Sequence, residues 1–505
     1  MSKILHRIVA VLPAVVLQIV WLYILLTWLS PWASLIGLIL SILSLLFVLY
    51  IITKQDEGTY KILWLLVILT FPLPGAVLYL FFGNKRTTKP LRKKLESVRY
   101  LHDWPDQTEQ VFRELEQKDC RMADTFRYIH NMTGCPAYFN HDAKYYPLGD
   151  TLFPAMLDAM KQAEKYIFAE YFIIEPGYMW DSMVEIMAEK AAKGVDVRVI
   201  YDDLGSIATY SRKNVRDLRK KGIRCIPFNP LRAIKGTLNY RDHRKMLIVD
   251  GVVAFSGGVN LADEYIKHVE KHGHWKDIGF RLTGEAVQGY TKMFVEFWNA
   301  FSGDTIPVML LGRPKPAAET KAEDGIILSY YDSPLRSSAA SNELYIELLS
   351  QATNYAWFFT PYLMSGEALL EAMVRAAQRG IDVRIIMPGV PDKKIVFRMS
   401  NSFYSVLLEA GVKIYEYTPG FIHAKGCVID DKVGTVGTVN LDYRSLFLHF
   451  ENNSLFYRAS ILEDVKADFL ATQRKCREMK LGENVKVGFW HWMVDGVLRI
   501  FAPLC

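Results

Sequence analysis

The chain has 505 residues, 51% of them hydrophobic, and a formal net charge of +6. That length suits two or three domains. The mild basic excess suits phosphate chemistry or an anionic membrane surface, and it lacks the dense basic stripe of a nucleic-acid binder. Its six cysteines form no CxxC pair and sit at no metal-ligand spacing, which argues against a disulfide framework or a structural zinc.

Three apolar runs open the chain, at residues 8–29, 31–52 and 62–82, and none carries a charged residue. Each has about 20 residues or more, which as helix matches a bilayer core about 30 Å thick. Pro72, Pro74 and Gly75 interrupt the third run, so the reading is either three kinked spans or two spans and a re-entrant segment. Lys85, Arg86, Lys89, Arg92, Lys93 and Lys94 follow, a basic cluster that assigns the remainder of the chain to the cytoplasm. The expected location is therefore the cell membrane, multi-pass, with a cytoplasmic catalytic region.

Beyond a charged helical stretch at 87–128 lies an internal repeat. Each half opens with an amphipathic helical pattern (151–165 and 342–353), followed by a β-branched and aromatic run (166–174 and 357–362). A second helix then ends in closely similar text, with Gly194 and Gly380 where a C-cap glycine belongs and an apolar strand after each. Strands alternating with helices predict an α/β sheet in each half. The expected organisation is a membrane region at 1–86, a linker at 87–128, repeated domains at 129–320 and 321–482, and an amphipathic tail at 483–505. That aromatic-rich tail reads equally as an interfacial helix or one packed on the protein's own core.

Each half carries a motif of the form HxKxxxxD: His243, Lys245 and Asp250 in the first, His423, Lys425 and Asp430 in the second. Ten residues after each Asp stands an Asn, Asn260 within Ser256-Gly257-Gly258-Val259-Asn260 and Asn440 within Gly437-Thr438-Val439-Asn440. One such motif is weak evidence, whereas two inside a longer repeat are strong. His and Lys two apart on a strand share a face, so each motif presents an imidazole beside an ammonium. Two such pairs suit a phosphodiester: Lys245 and Lys425 offset its charge, and Asn260 and Asn440 donate to its oxygens. One histidine can attack phosphorus while the other protonates the departing alcohol and deprotonates the incoming one. Each imidazole wants a carboxylate to fix its tautomer, and Asp277 and Glu451 are the candidates. The closing Asp250 and Asp430 are candidates for either a catalytic or a turn-forming role. The sequence has no carboxylate cluster of the two-metal kind, so neither a metal nor another cofactor is expected.

These residues resemble the phospholipase D superfamily, marked by two HxKxxxxD motifs with Gly-rich Asn elements downstream. Within it the chain is similar to bacterial cardiolipin synthases. That similarity runs through Trp64, Pro72, Gly75, Tyr79 and Gly83, through residues 257–264 and through residues 440–445. The resemblance implies two α/β phospholipase D-like halves about a pseudo-twofold axis, each a mixed sheet flanked by helices, preceded by transmembrane helices. It implies metal-independent transfer of a phosphatidyl group between two phosphatidylglycerol molecules through a phosphohistidine, giving cardiolipin and glycerol. His243 is then the nucleophile and His423 the general acid and base, with Gly257, Gly258 and Thr438 joining the substrate-binding set. Partners are membrane phospholipids and not nucleic acid. The motifs alone do not separate glycerol from water as acceptor, so a phospholipase D is the alternative reading, with a phosphodiesterase nuclease further behind.

Overall fold

The computed structural model describes residues 33–54, 56–83, 89–98, 107–139, 142–230, 239–307, 311, 324–335, 339–485 and 488–504, with residues 16, 20 and 23. It divides into two compact units, Met1–Pro90 with Val497–Leu504, and Leu91–Gly496. The first predicted apolar run, 8–29, lies almost entirely outside the described residues.

In the first unit the second apolar run forms the helix Ala33–Ile52, with exposed side chains that include Leu38, Ile42, Leu45 and Leu49. The third run does not form one kinked span. It folds as a 13-residue helix Gly58–Thr70, a seven-residue helix Pro72–Leu78 and a π-helical turn Tyr79–Gly83. Proline lacks an N–H and disfavours helical geometry in the residue before it, so the chain breaks at Phe71 (φ −129°, ψ 78°). Gly75 then lies so near the preceding helix that a Cβ would come within 2.6 Å of the Val67 carbonyl oxygen. Thirteen helical residues span about 20 Å, short of the ~30 Å core. Among the described residues no helix is long and apolar enough to cross a membrane.

Among the described residues the second unit holds eighteen strands, sixteen in two large sheets and two in a separate parallel pair. They run β1 Ala137–Phe139, β2 Asp142–Tyr146, β3 Tyr166–Tyr171, β4 Asp196–Asp202, β5 Arg224–Phe228, β6 Lys245–Val249, β7 Val253–Gly257, β8 Gly279–Thr283 and β9 Ile326–Asp332. They continue as β10 Tyr355–Phe359, β11 Leu363–Met364, β12 Asp382–Pro388, β13 Lys413–Tyr417, β14 Gly426–Ile429, β15 Val433–Gly437, β16 Leu441–Asp442, β17 Glu451–Tyr457 and β18 Cys476–Glu478. One sheet has the order β2-β8-β7-β6-β3-β4-β5, the other β1-β9-β17-β15-β14-β10-β12-β13-β18. The two repeat each other strand for strand, because β8-β7-β6-β3-β4-β5 corresponds to β17-β15-β14-β10-β12-β13. In both, three strands are parallel and the rest antiparallel. The internal repeat is thus one mixed α/β sheet built twice.

Side-chain alternation assigns the faces of the first sheet. Phe168, Met246, Ile248 and Phe280 enter the same core cluster as Leu328, Phe358, Val428 and Leu455 of the second sheet. Ile167, Leu247, Val249 and Phe255 instead enter a separate core with Leu152, Met156, Met183 and Met187, from the helices Gly149–Lys161 and Tyr178–Ala192. The two sheets therefore share a core through facing inner surfaces. After the second helix of each half, Gly194 and Gly380 take φ of +89° and +90°, as the predicted C-cap glycines require.

The segment read as a linker is more than a spacer. Its helices Thr108–Lys118 and Cys120–Thr133 bury Val111, Leu115, Phe126 and Ile129, at helical spacing, in the shared core. Strand β1, expected with the first repeat, instead pairs antiparallel with β9 of the second sheet. The C-terminal helix Phe489–Phe501 has no buried residue. Trp490 and Trp492 are 71% and 72% exposed, whereas Asp495 pairs with Arg398 at 2.6 Å.

Candidate active site

His243 lies two residues before the central strand β6, and His423 three residues before its counterpart β14. Those strands are buried on both faces, so their apolar runs fix the motif backbone rigidly. The decisive contacts cross between the halves. The His243 N–H donates to the Phe450 carbonyl at 2.8 Å, and the His423 N–H donates to the Lys276 carbonyl at 2.7 Å. Each contact sets an imidazole beside the next residue of the opposite repeat. His243 Nδ1 lies 2.8 and 2.9 Å from the two Glu451 oxygens, and His423 Nδ1 lies 2.6 Å from Asp277 Oδ2. Since a carboxylate only accepts, each Nδ1 carries the proton and each Nε2 keeps its lone pair. Asp277 and Glu451, the expected tautomer-fixing carboxylates, each meet the histidine of the other half.

Lys245 and Lys425 are buried, and each ammonium donates to its own motif's histidine carbonyl, Lys245 to His243 at 2.6 Å and Lys425 to His423. Burial pushes Lys245 down to about 8 and Lys425 down to about 7, with nearby carboxylates, Glu451 for the first and Asp277 for the second, opposing the shift. Burial also pushes His423 down to about 4, and Lys425 adds to the effect. His243 falls well below the ordinary imidazole value, first by burial and then through Lys245, His449, Lys425 and His423. The mutual influence of His243, His423, Lys245 and Lys425 places four groups from two repeats in one electrostatic site. At neutral pH both imidazoles are uncharged.

Asp250 and Asp430 belong to a different part of the molecule. Seven residues beyond each histidine, they stand at the far end of the strand, at φ 53° and 54°. Asp250 accepts from the backbone N–H groups of Glu164, Lys165 and Tyr166. Asp430 does the same for Thr353, Asn354 and Tyr355. A seven-residue extended run spans about 23 Å, so the catalytic expectation for these two gives way to the turn-forming one.

The Gly-rich elements likewise support the carboxylates. A Cβ on Gly258 would stand 2.0 Å from Asp277 Oδ1, and Gly257 takes φ +144° against the Ile278 carbonyl. The Thr438 hydroxyl donates to Glu451, as does the Ser445 hydroxyl. The asparagine amides are engaged within the protein. Asn260 Nδ2 donates to the Tyr265 hydroxyl at 2.7 Å and its Oδ1 accepts from the Ile173 N–H at 3.1 Å. Asn440 Nδ2 donates to Asp442 at 3.0 Å. Each of these contacts uses one of the two N–H groups of its amide, so Asn260 and Asn440 each keep a second donor.

Other members escaped the sequence reading. Asn452 accepts from the Lys245 N–H at 3.2 Å and donates to Ser256 Oγ at 2.7 Å, bridging the repeats. His449 stands 5.7 Å, ring to ring, from His243, with Arg444 Nε donating to its Nε2 at 3.3 Å. Trp275 stands 5.9 Å from His423. The period-two rule was the available signal, since 449 precedes Glu451 by two and 275 precedes Asp277 by two. His243, His449 and Glu451 are the described group whose ligand atoms lie close enough, within 4.8 Å, to hold a metal. Lys245, Lys425 and Arg444 already surround it with positive charge, which opposes a further cation.

The model described as "Cardiolipin synthase, PLD-like domain" matches residues 156–298 and 345–472, and one described as "Phospholipase_D-nuclease N-terminal" matches residues 39–84. An uncharacterized protein of Streptococcus mutans is 38% identical over 464 residues, covering 90% of this chain and 99% of its own. A cardiolipin synthase of Halalkalibacterium halodurans is 32% identical over 473 residues, 92% of this chain and 93% of that one. Another, from Alkalihalophilus pseudofirmus, is 33% identical over 467 residues, 92% of each. Among solved structures, the phosphatidylserine synthase of Haemophilus influenzae superposes with TM-score 0.56 at 15% identity, covering 75% of this chain and 97% of that one, a likeness of fold.

Proposed function

The chain belongs to the cardiolipin synthase, phospholipase D-like family, and from that premise we propose that it is a cardiolipin synthase, moving a phosphatidyl group from one phosphatidylglycerol to the glycerol of another. The carrying observation is the pair of crossed dyads, His243 with Glu451 and His423 with Asp277, which gives one site two neutral imidazoles with free Nε2 atoms. His243 Nε2 attacks phosphorus while the proton of Nδ1 is held by Glu451. The anionic phosphodiester raises the proton affinity of His423, so with substrate bound its Nε2 is protonated as well; it gives that proton to the departing glycerol oxygen, then takes one from the incoming glycerol hydroxyl as its oxygen displaces His243. Lys245 and Lys425 neutralise the phosphoryl oxygens. The substrate's negative charge favours their protonated forms, which offsets the effect of burial. Asp250 and Asp430 anchor the turns of their repeats. Gly257, Gly258 and Thr438 brace the carboxylates and their loops, and the second amide N–H of Asn260 and of Asn440 donates to the phosphate.

The finer membrane arrangement belongs to the same proposal. The exposed apolar side chains of Ala33–Ile52 contact lipid acyl chains, and the folded-back segment Gly58–Gly83 is re-entrant. The exposed Trp490 and Trp492 sit at the lipid interface. The basic cluster after residue 84 keeps the catalytic repeats on the cytoplasmic side. The test is a product assay on the full chain in detergent with phosphatidylglycerol. Cardiolipin with stoichiometric glycerol is expected, and His243→Ala should abolish both the product and any acid-labile phospho-adduct. Phosphatidic acid as main product would replace the synthase by a hydrolase. An adduct mapping to His423 would exchange the two roles.

A further inference from the structure

The flanks of the two dyads differ although the repeats that carry them match. Two residues before Glu451 stands His449, with Arg444 behind it, whereas the corresponding place before Asp277 holds Trp275. His423 is therefore walled by aromatic rings: Tyr265 at 5.5 Å, Trp275 at 5.9 Å and Phe421 at 5.9 Å, centroid to centroid. The Trp275 side chain is 7% exposed, yet its indole N–H is buried without a hydrogen-bond partner among the described residues. A carboxylate completes the wall. Asp392 Oδ2 accepts from the Tyr362 hydroxyl at 2.7 Å and from Lys393, while Oδ1 has no partner among the described residues. Tyr362 in turn packs on Phe421, 6.4 Å away.

We propose that this wall is a subsite for a vicinal diol, the glycerol that leaves the donor lipid and then the glycerol head of the acceptor. The inference rests on the synthase reading above. In an in-line displacement the attacking and departing atoms lie on opposite sides of phosphorus, so with His243 attacking, the alcohol lies against His423 and its neighbours. One hydroxyl oxygen bonds to phosphorus and exchanges its proton with His423 Nε2. The adjacent hydroxyl donates to Asp392 Oδ1 and accepts from Trp275 Nε1–H, and the C–H faces lie on the rings. A buried donor and a partly exposed acceptor awaiting one hydroxyl disfavour an alcohol that lacks it more strongly than an apolar pocket can. The subsite thus selects a polyol over a mono-alcohol of equal size, and Lys393, 56% exposed beside Asp392, meets the acceptor lipid's own phosphate.

The test is competition between deuterium-labelled free glycerol and 1-propanol for the phosphatidyl group, using the full chain with unlabelled phosphatidylglycerol in mixed micelles, the label marking newly formed phosphatidylglycerol. The readout is the ratio of the two transfer products within one reaction, which is insensitive to the fraction of folded enzyme. Wild type is expected to favour glycerol at least tenfold. Trp275→Phe, which keeps the ring and loses the N–H, and Asp392→Asn, at a partly exposed position, should each bring that ratio to within about twofold of unity. Both variants retaining the wild-type ratio while turnover persists would overturn the subsite alone. Wild type that yields only phosphatidic acid removes the synthase reading, and the subsite falls with it.

Discussion

Replacing Glu451 by Gln isolates the chemistry of one histidine from that of the other. The carboxylate receives the His243 Nδ1–H at 2.8 and 2.9 Å together with the Thr438 and Ser445 hydroxyls. Gln keeps the shape, loses the charge, and offers one oxygen to donors that had two. A hydrogen bond to a charged group contributes about 1.5–3 kcal/mol, against about 0.5–1.5 for a neutral one. That difference, about 1–1.5 kcal/mol, corresponds to roughly five- to tenfold in rate. The amide NH₂ facing Nδ1 also favours the other tautomer, which protonates Nε2, and the comparable substitution in a serine-protease triad costs about 10⁴-fold. The expected loss in phosphohistidine formation is thus about 10- to 10⁴-fold. A p-nitrophenyl ester of phosphatidic acid separates the steps, because nitrophenolate departs without a protonating acid. Rapid mixing should show a normal nitrophenolate burst for Asp277→Asn followed by slow turnover, since only His423 is impaired. Glu451→Gln should show no burst. If Glu451→Gln bursts normally, or if the two variants behave alike, then the cross-wired dyads do not divide the labour as argued.

Gly258→Ala forces a methyl to within 2.0 Å of Asp277 Oδ1. It should reproduce the slow second phase of Asp277→Asn on the same ester although residue 258 touches no reacting atom. Asp250→Ala and Asp430→Ala each strip an acceptor from three backbone N–H groups. Each should lower stability by about 1–3 kcal/mol, read by thermal unfolding, while the folded fraction keeps its kcat. For pH, His423 titrates near 4 in the fold and near 6.5 unfolded, so below pH 6.5 the unfolded chain binds the extra proton. Stability should therefore fall as pH drops from 6.5 towards 4, by about 3 kcal/mol from this group, in unfolding titrations across that range. Lys245 and Lys425 are also depressed, to about 8 and about 7, so the unfolded chain holds their protons longer and the cost of their burial fades as pH rises above 7. Activity runs the opposite way at that end. Neutral lysines bind phosphate poorly, so kcat/KM should decline above pH 7–8, while kcat declines at higher pH because bound phosphate favours the ammonium. A flat kcat/KM between pH 7 and 9 would contradict this.

The duplicated α/β sheet and the His–Lys pairs were legible in the chain because both depend on local rules. A buried central strand needs an apolar run, a helix C-cap needs glycine, and residues two apart on a strand share a face. The third apolar run was legible only in part. Its prolines announced a break, but the fold-back onto Val67 follows from the close approach that Gly75 permits. The composition of the site was therefore set by sequence, and its wiring was not. Asp277 follows His243 and Glu451 follows His423 in the chain, which invites pairing within each repeat. Tertiary structure exchanges the partners, because the segments leading into β8 and β17 run beside the opposite motif and hydrogen-bond to it. The same crossing brought Trp275 beside His423 and His449 beside His243. Which strand start lies beside which motif depends on how two separately folded sheets bury their inner faces against each other, and no spacing within one repeat encodes that.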